Sequence, residues 1–366
     1  MQPFGRNYKN TYSMKKIFLS LIFVLCSVLI YAWNSPVTIP DVGNARLHVV
    51  AQNAENYLDN LDASNSSCST QAEFDAKTLK IANVFIALDA DIVAICEVQA
   101  NNRILGYLVN KMNELAGSND YSYISDNINV SNSGTGYQSL KAGFIYRSTK
   151  VTPVGNNTSP YYSGEYYRRM RIQAFQENLT EEKFVLSMNH FKAKSSSGDQ
   201  GESTRIQNAS ELIDALQYIT VDPDILIMGD LNAYMGETPI ENLEAAGFEE
   251  QLTVYDPNAY TYYYYGDLGI LDHCMANESM AAQITGAYAY HINTGTRNKN
   301  AQNYTTYHYS DHDAVLVGIN LGGALPDPDG FDHIDTTLPA QKIIRNGQIY
   351  IVIDNQLFTI LGTKVQ

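Results

Sequence analysis

The stretch that decides the fold of this chain is ILIMGDLN, residues 225–232. A short apolar run that contains β-branched residues and ends in polar ones predicts a buried β-strand, which we place at 224–232. Asp230 and Asn232 stand at its carboxyl end. Side chains two positions apart on an extended backbone project to the same face, so we expect this carboxylate and this amide to face one cleft.

Other apolar runs along the chain also end in polar side chains that can carry chemistry. The residues at these ends are Asn53, Glu97, His190 and Asp272, and Asp311 and His312 precede the last predicted strand. Strand ends are where side chains from distant parts of a chain converge on a shared cleft. Glu97 adds an oxygen ligand of the kind that Mg²⁺ prefers, and a carboxylate at Asp272 can fix the tautomer of His312.

The order of the predicted elements indicates an α/β sandwich. We predict helices at 72–88, 103–116 and 203–219. We predict strands at 45–52, 91–98, 141–147, 171–177, 183–191, 224–232, 261–265, 270–275, 284–291 and 314–320. Several strands follow one another without a helix between them, which favours a sandwich over a repeating βαβ barrel.

Composition limits the classes of partner. With 45% hydrophobic and 17% charged residues among 366, the chain has the make-up of a globular protein. Its net charge of −15 opposes tight non-specific binding to duplex nucleic acid, which relies on a basic surface. An enzyme that binds its substrate transiently and gathers carboxylates around a metal ion is compatible with this charge. The 27 tyrosines allow stacking on bases or sugars, with surface packing as the alternative.

The amino terminus has the pattern of a secretory signal peptide. Met14-Lys15-Lys16 precedes an apolar run that ends at Ala32, and residues 1–13 form an upstream extension. We therefore predict that residues 1–32 are removed on export, that no membrane anchor remains, and that the protein is secreted or lies at the cell surface or in the periplasm. Three cysteines then remain, an odd number without CxxC spacing, so we expect neither a disulfide framework nor a cysteine metal site.

The amino-acid composition changes near the carboxyl terminus, where Gly, Pro and Asp become frequent. The Gly-, Pro- and Asp-rich segment 322–340 reads as a linker after a catalytic domain at 41–321. In the tail, 341–366, Asn346-Gly347 between two apolar runs predicts a hairpin. The tail is too short for a core of its own, and its pattern resembles the sorting signals of proteins exported by type IX secretion.

Seven stretches together resemble the endonuclease/exonuclease/phosphatase superfamily, and within it the bacterial extracellular nucleases. They occur in the family's order at 52–56 (QNAEN), 95–98 (ICEV), 168–171 (RRMR), 189–194 (NHFKAK), 228–234 (MGDLNAY), 269–273 (GILDH) and 310–313 (SDHD). The resemblance covers about residues 45–320. It implies a DNase I-like four-layer sandwich, in which two mixed β-sheets pack face to face with helices outside.

The resemblance also implies a metal site and a base. Glu97 would be the main metal ligand, with Asn53 and Asp311 beside it. The metal would be Mg²⁺, with Mn²⁺ or Ca²⁺ as alternatives. Asp230 would activate or orient the attacking water, although His312 remains open as the group that takes the proton.

The remaining roles implied by the resemblance concern the phosphate. Asn232 would hold the scissile phosphate, and His190 and His312 would neutralise its charge, with Asp272 supporting His312. Arg169 matches the phosphate-binding arginine, although Met170 and Arg171 stand where the family has prolines.

The implied function is a secreted, metal-dependent endonuclease that hydrolyses DNA, or RNA, as a monomer without a stable protein partner. One alternative is a phosphodiesterase or phosphatase acting on phospholipid or inositol phosphate headgroups. A catalytically inactive binding module is a further alternative, which the complete set of catalytic positions disfavours.

Overall fold

The computed structural model describes residues 38–125, 140–162, 165–194, 198–294, 308–323, 341–345, 348–353, 356–359 and 364–365. The predicted signal peptide at 1–32 and most of the predicted linker lie outside these residues, so both stay predictions. Within the described residues, no helix is long and apolar enough to cross a membrane. The chain divides into two compact units, 1–323 and 324–366.

The first unit is built on two six-stranded mixed sheets. From edge to edge, the first sheet contains β15 (Ile284–Tyr290), β16 (Ala314–Ile319), β1 (Leu47–Tyr57), β2 (Ile92–Gln99), β4 (Leu140–Arg147) and β3 (Tyr121–Tyr123). The second contains β11 (Phe248–Glu250), β14 (Asp272–Asn277), β10 (Ile225–Asp230), β9 (Lys183–His190), β8 (Arg171–Glu177) and β5 (Val151–Thr158).

The longer helices form the two outer layers. They are α1 (Gln71–Ala87), α2 (Ile104–Ala116), α3 (Glu202–Leu216) and α4 (Thr238–Ala245). The short α5 (Gln251–Tyr255) and α6 (Glu278–Ala281) contribute Leu252 and Met280 to the buried cluster between the two sheets. Side chains of α1 and α2 share a buried cluster with the first sheet. Side chains of α3 and α4 share another with the second sheet. A third cluster lies between the sheets, so the predicted four-layer α/β sandwich is confirmed.

Burial on both faces explains why the central strands are almost continuously apolar. In β10, Ile227 packs in the helix-side cluster, whereas Leu226 and Met228 pack between the sheets. The alternation that would reveal a half-exposed strand is therefore absent, because neither face meets water. The same reasoning applies to β1, where Val50 faces the helices and Val49 faces the second sheet.

The two central pairs of parallel strands position the site. β1 lies parallel to β2 in the first sheet, and β9 lies parallel to β10 in the second. Their carboxyl ends carry Asn53, Glu97, His190 and Asp230. Parallel neighbours end at the same edge of a sheet, and the packing of the two sheets brings both edges to one cleft.

The sequence pattern does not predict some of the strands. The edge strand β5 reads VTPVGNNT, and its proline, glycine and asparagines disfavour a strand. It is a strand because β8 supplies its hydrogen-bonding partners along one side. Two short ribbons complete the first unit, β6 (Tyr161–Tyr162) with β7 (Glu165–Arg169), and β12 (Tyr262–Tyr264) with β13 (Asp267–Gly269).

The second unit contains four antiparallel strands, β17 (Gln341–Arg345), β18 (Gln348–Ile353), β19 (Gln356–Thr359) and β20 (Lys364–Val365). β17 and β18 pair as the hairpin predicted around Asn346-Gly347, with Arg345 opposite Gln348. The assignment of this tail to secretion stays a prediction.

Candidate active site

The carboxyl end of β10 is shaped by a glycine. Gly229 has a φ of 123°, and a Cβ at this position would lie 2.2 Å from the carbonyl oxygen of Asn189 on β9. Only glycine permits this approach, because any side chain would collide with the backbone of the neighbouring strand. Gly229 pairs with Asn189 and His273, and the buried carboxylate of Asp230 follows at the carboxyl end of β10.

Asn232 does not lie on an extended strand, so the same-face argument from sequence is wrong in its geometry. β10 ends at Asp230, and Asn232 has a φ of 50°. The backbone N–H of Asn232 donates to Asp230 Oδ1 at 2.9 Å, and its Nδ2 donates to Asp230 Oδ2 at 3.1 Å and to the Phe191 carbonyl at 3.2 Å. A tight turn, rather than strand periodicity, brings the two side chains together. The phosphate-holding role of Asn232 stays a prediction.

Asn53 connects the two sheets at the bottom of the site. Its Nδ2 donates to Asp230 Oδ2 at 3.0 Å and to Glu97 Oε1 at 3.2 Å. Its Oδ1 accepts the backbone N–H of Glu55 at 2.9 Å, which sets the orientation of the amide. The amide nitrogen therefore faces the carboxylates and orients them. Its predicted role as a metal ligand requires the oxygen and stays a prediction.

An irregularity in the pairing of β1 and β2 aims Glu97 into the cleft. The register shifts between Asn53 and Tyr57, and Glu55, Asn56 and Glu97 all have positive φ values, of 45°, 53° and 56°. The N–H of Asn56 donates to Glu97 Oε2 at 3.0 Å. Bulges next to active sites commonly re-aim a side chain in this way, and the positive φ values mark local backbone strain.

His312 is held by a buried carboxylate. Its Nδ1 lies 2.6 Å from Asp272 Oδ2, which leaves Nε2 facing the cleft, 3.8 Å from Asp230 Oδ2 and 3.9 Å from Asp311 Oδ1. Burial alone would lower the pKa of His312, but the charges of Asp272 and Asp230 and the hydrogen bond to Asp272 raise that pKa well above its usual value. These contacts therefore favour the protonated form of the ring.

Asp230 stands between the two histidines. Its Oδ2 lies 3.7 Å from His190 Nε2, and the same nitrogen lies 3.5 Å from Glu97 Oε1. Burial raises the pKa of Asp230 to about 6, although the charge of His312 opposes that rise. A carboxyl with this pKa is a proton acceptor matched to neutral pH.

The donor set fits a divalent cation. Glu97, His190 and Asp230 each offer a ligand atom, and these atoms all lie within 4.8 Å of one another. Two carboxylates suit Mg²⁺, Mn²⁺ or Ca²⁺, and imidazole is a common further ligand of Mn²⁺ and other transition metals. Of the ligands predicted from sequence, Glu97 belongs to this group. Asp311 lines the same cleft and is partly exposed, so its role as a ligand stays a prediction.

The cleft has a volume of about 670 Å³. Besides the residues above, it is lined by Glu55, Asn56, Lys194, Tyr234, Glu237, Tyr262 and Tyr264. Sequence reasoning did not identify Glu237, which lies outside every predicted strand end. Its carboxylate accepts from Lys194 Nζ at 2.6 Å, and this ion pair joins the loop after β9 to the loop after β10.

For Arg169, which the sequence predicts to bind phosphate, the structure describes the backbone alone. Its backbone lies in β7, and its side chain is outside the described part of the structure. Its role in binding phosphate stays a prediction. The next arginine along the chain, Arg171, is buried in β8 and donates to the hydroxyl of Ser159.

Residues behind the site hold its backbone in place. His273 is buried, with Nδ1 2.7 Å from Glu250 Oε2 and Nε2 2.7 Å from the carbonyl oxygen of Ala233, which follows Asn232. Its partner Glu250 carried no signal in the sequence, because it lies on the short edge strand β11.

A similar support lies behind His312. The carbonyl of His312 accepts from Asn293 Nδ2 at 2.6 Å and from Gln52 Nε2 at 3.1 Å. Asp313 Oδ1 in turn accepts the backbone N–H groups of Asn293 and Thr294. These contacts link the loop before β16 to the end of β15 and to β1, across distances that no local pattern reveals.

Solved structures with this architecture come from bacteria and from humans. An endonuclease/exonuclease/phosphatase from Bacteroides vulgatus has a TM-score of 0.54 and 15% identity, over 75% of this chain and 98% of that one. The human Nocturnin catalytic domain has a TM-score of 0.52 and 14% identity, over 75% and 94% of the two chains. A mannosyl-6-phosphatase from Bacteroides thetaiotaomicron has a TM-score of 0.51 and 15% identity, over 75% and 100%. At these identities the likeness shows the fold.

Comparison with curated protein sequences gives no match. A sequence model of a protein family matches this chain from the segment before α1 to the loop that carries His312. This match is more specific than the likeness of the folds. The model of the endonuclease/exonuclease/phosphatase family matches residues 64–312, and this chain therefore belongs to that family of phosphoester hydrolases.

Proposed function

We propose that this protein hydrolyses phosphodiester bonds of nucleic acid, DNA in the first place and RNA as a second substrate, with the help of a divalent cation. The observation that carries the proposal is the position of Asp230. Its Oδ2 lies 3.7 Å from His190 Nε2 and 3.8 Å from His312 Nε2 at one end of an open cleft. A proton acceptor flanked by two imidazoles suits attack by water on an anionic phosphorus centre.

The cation belongs at Glu97, where the donor atoms of Glu97, His190 and Asp230 converge. A cation held there would polarise a phosphoryl oxygen and offset the negative charge that develops on the phosphate. Asn53 keeps Glu97 and Asp230 oriented through the two hydrogen bonds from its amide nitrogen. The protein's part at this position is to hold two carboxylates close together without their repulsion displacing either one.

Asp230 takes the proton from the attacking water. Its raised pKa, about 6, leaves it ionised at neutral pH and still basic enough to accept a proton. Asn232 keeps the carboxylate in place through its backbone and side-chain N–H groups. Among the described residues that line the cleft there is no serine or cysteine, which supports direct attack by water over a covalent intermediate.

His312 supplies positive charge on the opposite side. Because Asp272 occupies Nδ1, the proton on Nε2 points towards the cleft and can be donated to a phosphoryl or leaving-group oxygen. This arrangement favours Asp230 as the base, since an imidazolium has no free pair of electrons with which to accept a proton. His190 lies on the side of Glu97, with Nε2 3.5 Å from Glu97 Oε1, where it can ligate the cation.

A substrate panel tests the proposal. The protein without residues 1–32 is incubated with plasmid, single-stranded DNA and RNA, each with Mg²⁺, with Mn²⁺ and with EDTA. We expect cleavage that requires the metal. Nucleic acids that stay intact under every metal condition would contradict the proposal. Release of phosphocholine from sphingomyelin, or of phosphate from inositol phosphates or mannose 6-phosphate, would then support the alternative substrate classes.

We propose export as well, and the support for it is the signal pattern at 1–32. Expression of the full chain, and of a chain that lacks residues 14–32, followed by cell fractionation, tests this. The full chain should appear outside the cytoplasm with a shortened amino terminus. Equal retention of both chains in the cytoplasm would contradict export. Size-exclusion chromatography of the exported form should show a monomer.

A further inference from the structure

The ribbon of β12 and β13 exposes an unusual group of tyrosines beside the site. Tyr263, Tyr264 and Tyr265 are 53%, 56% and 90% exposed, and Leu268 is 55% exposed. Tyr265 and Gly266 connect the strands with φ values of 47° and 112°, so the turn holds a bulky residue in the left-handed region. Contiguous exposed aromatic rings of this kind commonly mark a surface that binds something.

The base of this ribbon is fixed to the catalytic residues. The backbone of Tyr262 forms a β-bridge with His312. Thr261, which is fully buried, accepts the N–H of Asp272 on its hydroxyl at 2.9 Å and the N–H of Asp313 on its carbonyl at 2.9 Å. Any ligand that contacts the ribbon is therefore held at a defined distance from the imidazole of His312.

The tyrosine rings continue outward from that imidazole. The ring of Tyr262 lies 4.6 Å from the ring of His312, tilted by 37°. The rings of Tyr262 and Tyr264 are 6.5 Å apart and nearly parallel, at 18°, and both line the cleft. Tyr265 follows Tyr264 edge to face at 4.6 Å. The result is an aromatic wall, Tyr262, Tyr264 and Tyr265, which begins at the catalytic histidine and ends in solvent.

Electrostatic attraction cannot bind a nucleic acid strand as stacking on this aromatic wall can. The chain carries a net charge of −15. Among the described residues that line the cleft, Lys194 is the one lysine or arginine, and it is paired with Glu237 at 2.6 Å. Beyond the scissile phosphate, which His312 and the cation would contact, a polyanion therefore finds little among these residues with which to form ion pairs. Stacking on aromatic rings depends on no charge and accepts every base, because every base has a π-face.

We propose that the aromatic wall is a stacking subsite for the nucleobase next to the scissile phosphate, which makes single-stranded nucleic acid the preferred substrate. The inference rests on the proposed function. In a duplex the bases are already paired and stacked on one another, so they cannot reach the wall without unpairing. A membrane surface fits less well, because Tyr262 and Tyr264 face the cleft and the acidic protein is repelled by anionic lipid.

The experiment compares two single-stranded oligonucleotides that differ at one nucleotide. One is intact, and the other has an abasic tetrahydrofuran residue next to the mapped cleavage site. The quantity measured is the ratio of kcat/KM for the intact strand to kcat/KM for the abasic strand. Stacking of one base on aromatic side chains corresponds to a ratio of about ten.

Substitutions then test whether the aromatic wall is responsible for this ratio of kcat/KM values. We expect Tyr264→Leu and Tyr265→Leu to bring this ratio close to one. Tyr264→Phe keeps the aromatic ring, so this variant should keep the wild-type ratio. Tyr218→Leu is the matched control, because Tyr218 is 78% exposed and lies beyond the end of α3, outside the cleft lining. Thermal unfolding followed by circular dichroism should give the same midpoint for all four variants, since the changed side chains are exposed.

The outcomes separate this inference from the function on which it rests. If no nucleic acid is cleaved, the proposed function itself fails. If strands are cleaved but the wild-type ratio is near one, or if the leucine variants retain it, the stacking subsite is wrong and the nuclease stands. If the leucine variants lose binding to phosphatidylcholine vesicles and keep the ratio, the wall is a membrane-docking surface and the inference is overturned.

Discussion

Asp272 Oδ2 lies 2.6 Å from His312 Nδ1, and both side chains are almost completely buried. This contact determines which nitrogen of the imidazole faces the cleft, and together with the charge of Asp230 it raises the pKa of His312. It also joins β14 of the second sheet to the loop before β16 of the first. The geometry of the candidate site therefore depends on the packing of the two sheets.

Removing the side chain of either Asp230 or His312 should abolish most of the activity. We expect Asp230→Ala and His312→Ala each to lower kcat by at least about two orders of magnitude, because a base or a charge-stabilising donor is lost. Asp230→Asn, which keeps the shape of the side chain, should be equally inactive. The control is Asp75→Ala on the exposed face of α1. Near-normal rates in both alanine variants would mean that the chemistry lies elsewhere.

The contact between Asp272 and His312 should be visible in the pH profile. The charge of Asp272 raises the pKa of His312, so Asp272→Asn should lower that pKa. Activity that needs the imidazolium is lost when pH rises above its pKa, and the alkaline limb of kcat should therefore move to lower pH in the variant. A steady-state profile between pH 6 and 10 measures this. A drop in rate with an unmoved alkaline limb would assign Asp272 a purely structural role.

Glu97 should dominate the affinity for the cation. We expect Glu97→Gln to weaken Mn²⁺ binding by at least about tenfold, measured by calorimetry on the protein without substrate. Glu114→Gln is the control, because Glu114 is an exposed carboxylate on α2.

Binding of the cation should also weaken as pH falls through about 6, where the carboxyl of Asp230 takes up a proton. Protons and cations then compete for the same oxygen atoms. An affinity for Mn²⁺ that is the same at pH 5 and pH 7 would exclude Asp230 from the cation site.

Glycine at position 229 should be required for folding. A Cβ at this position would lie 2.2 Å from the Asn189 carbonyl oxygen, so Gly229→Ala should lower the free energy of unfolding by more than about 3 kcal/mol. Gly236→Ala is the matched control, since Gly236 also has a positive φ, of 80°, but has open space around it. It should cost about 1 kcal/mol, from backbone strain alone. Urea unfolding measures both, and equal costs would show that β9 can move away.

Much of the candidate site was accessible from the sequence, because its residues follow apolar runs that become the central strands. His190 and Asp230 are the last residues of β9 and β10, whereas β1 and β2 continue beyond Asn53 and Glu97 to Tyr57 and Gln99. The order of the motifs that contain these residues identifies the family. The burial of these strands on both faces is what makes the runs conspicuous. The same approach missed β5 and α4, which depend on partners that lie far away in the chain.

Local apolar runs and their order along the chain are enough to predict the α/β class, the strand ends that carry polar side chains and the family. The tertiary structure alone decided how those residues act. It turned Asn232 onto Asp230 through a left-handed turn, directed the amide nitrogen of Asn53 towards two carboxylates, and placed Tyr262 against His312. These relationships join residues that lie far apart in the chain or depend on a backbone bend, and no periodicity records them. The stretch ILIMGDLN therefore predicts where the site is, and the packing of two sheets determines what it can do.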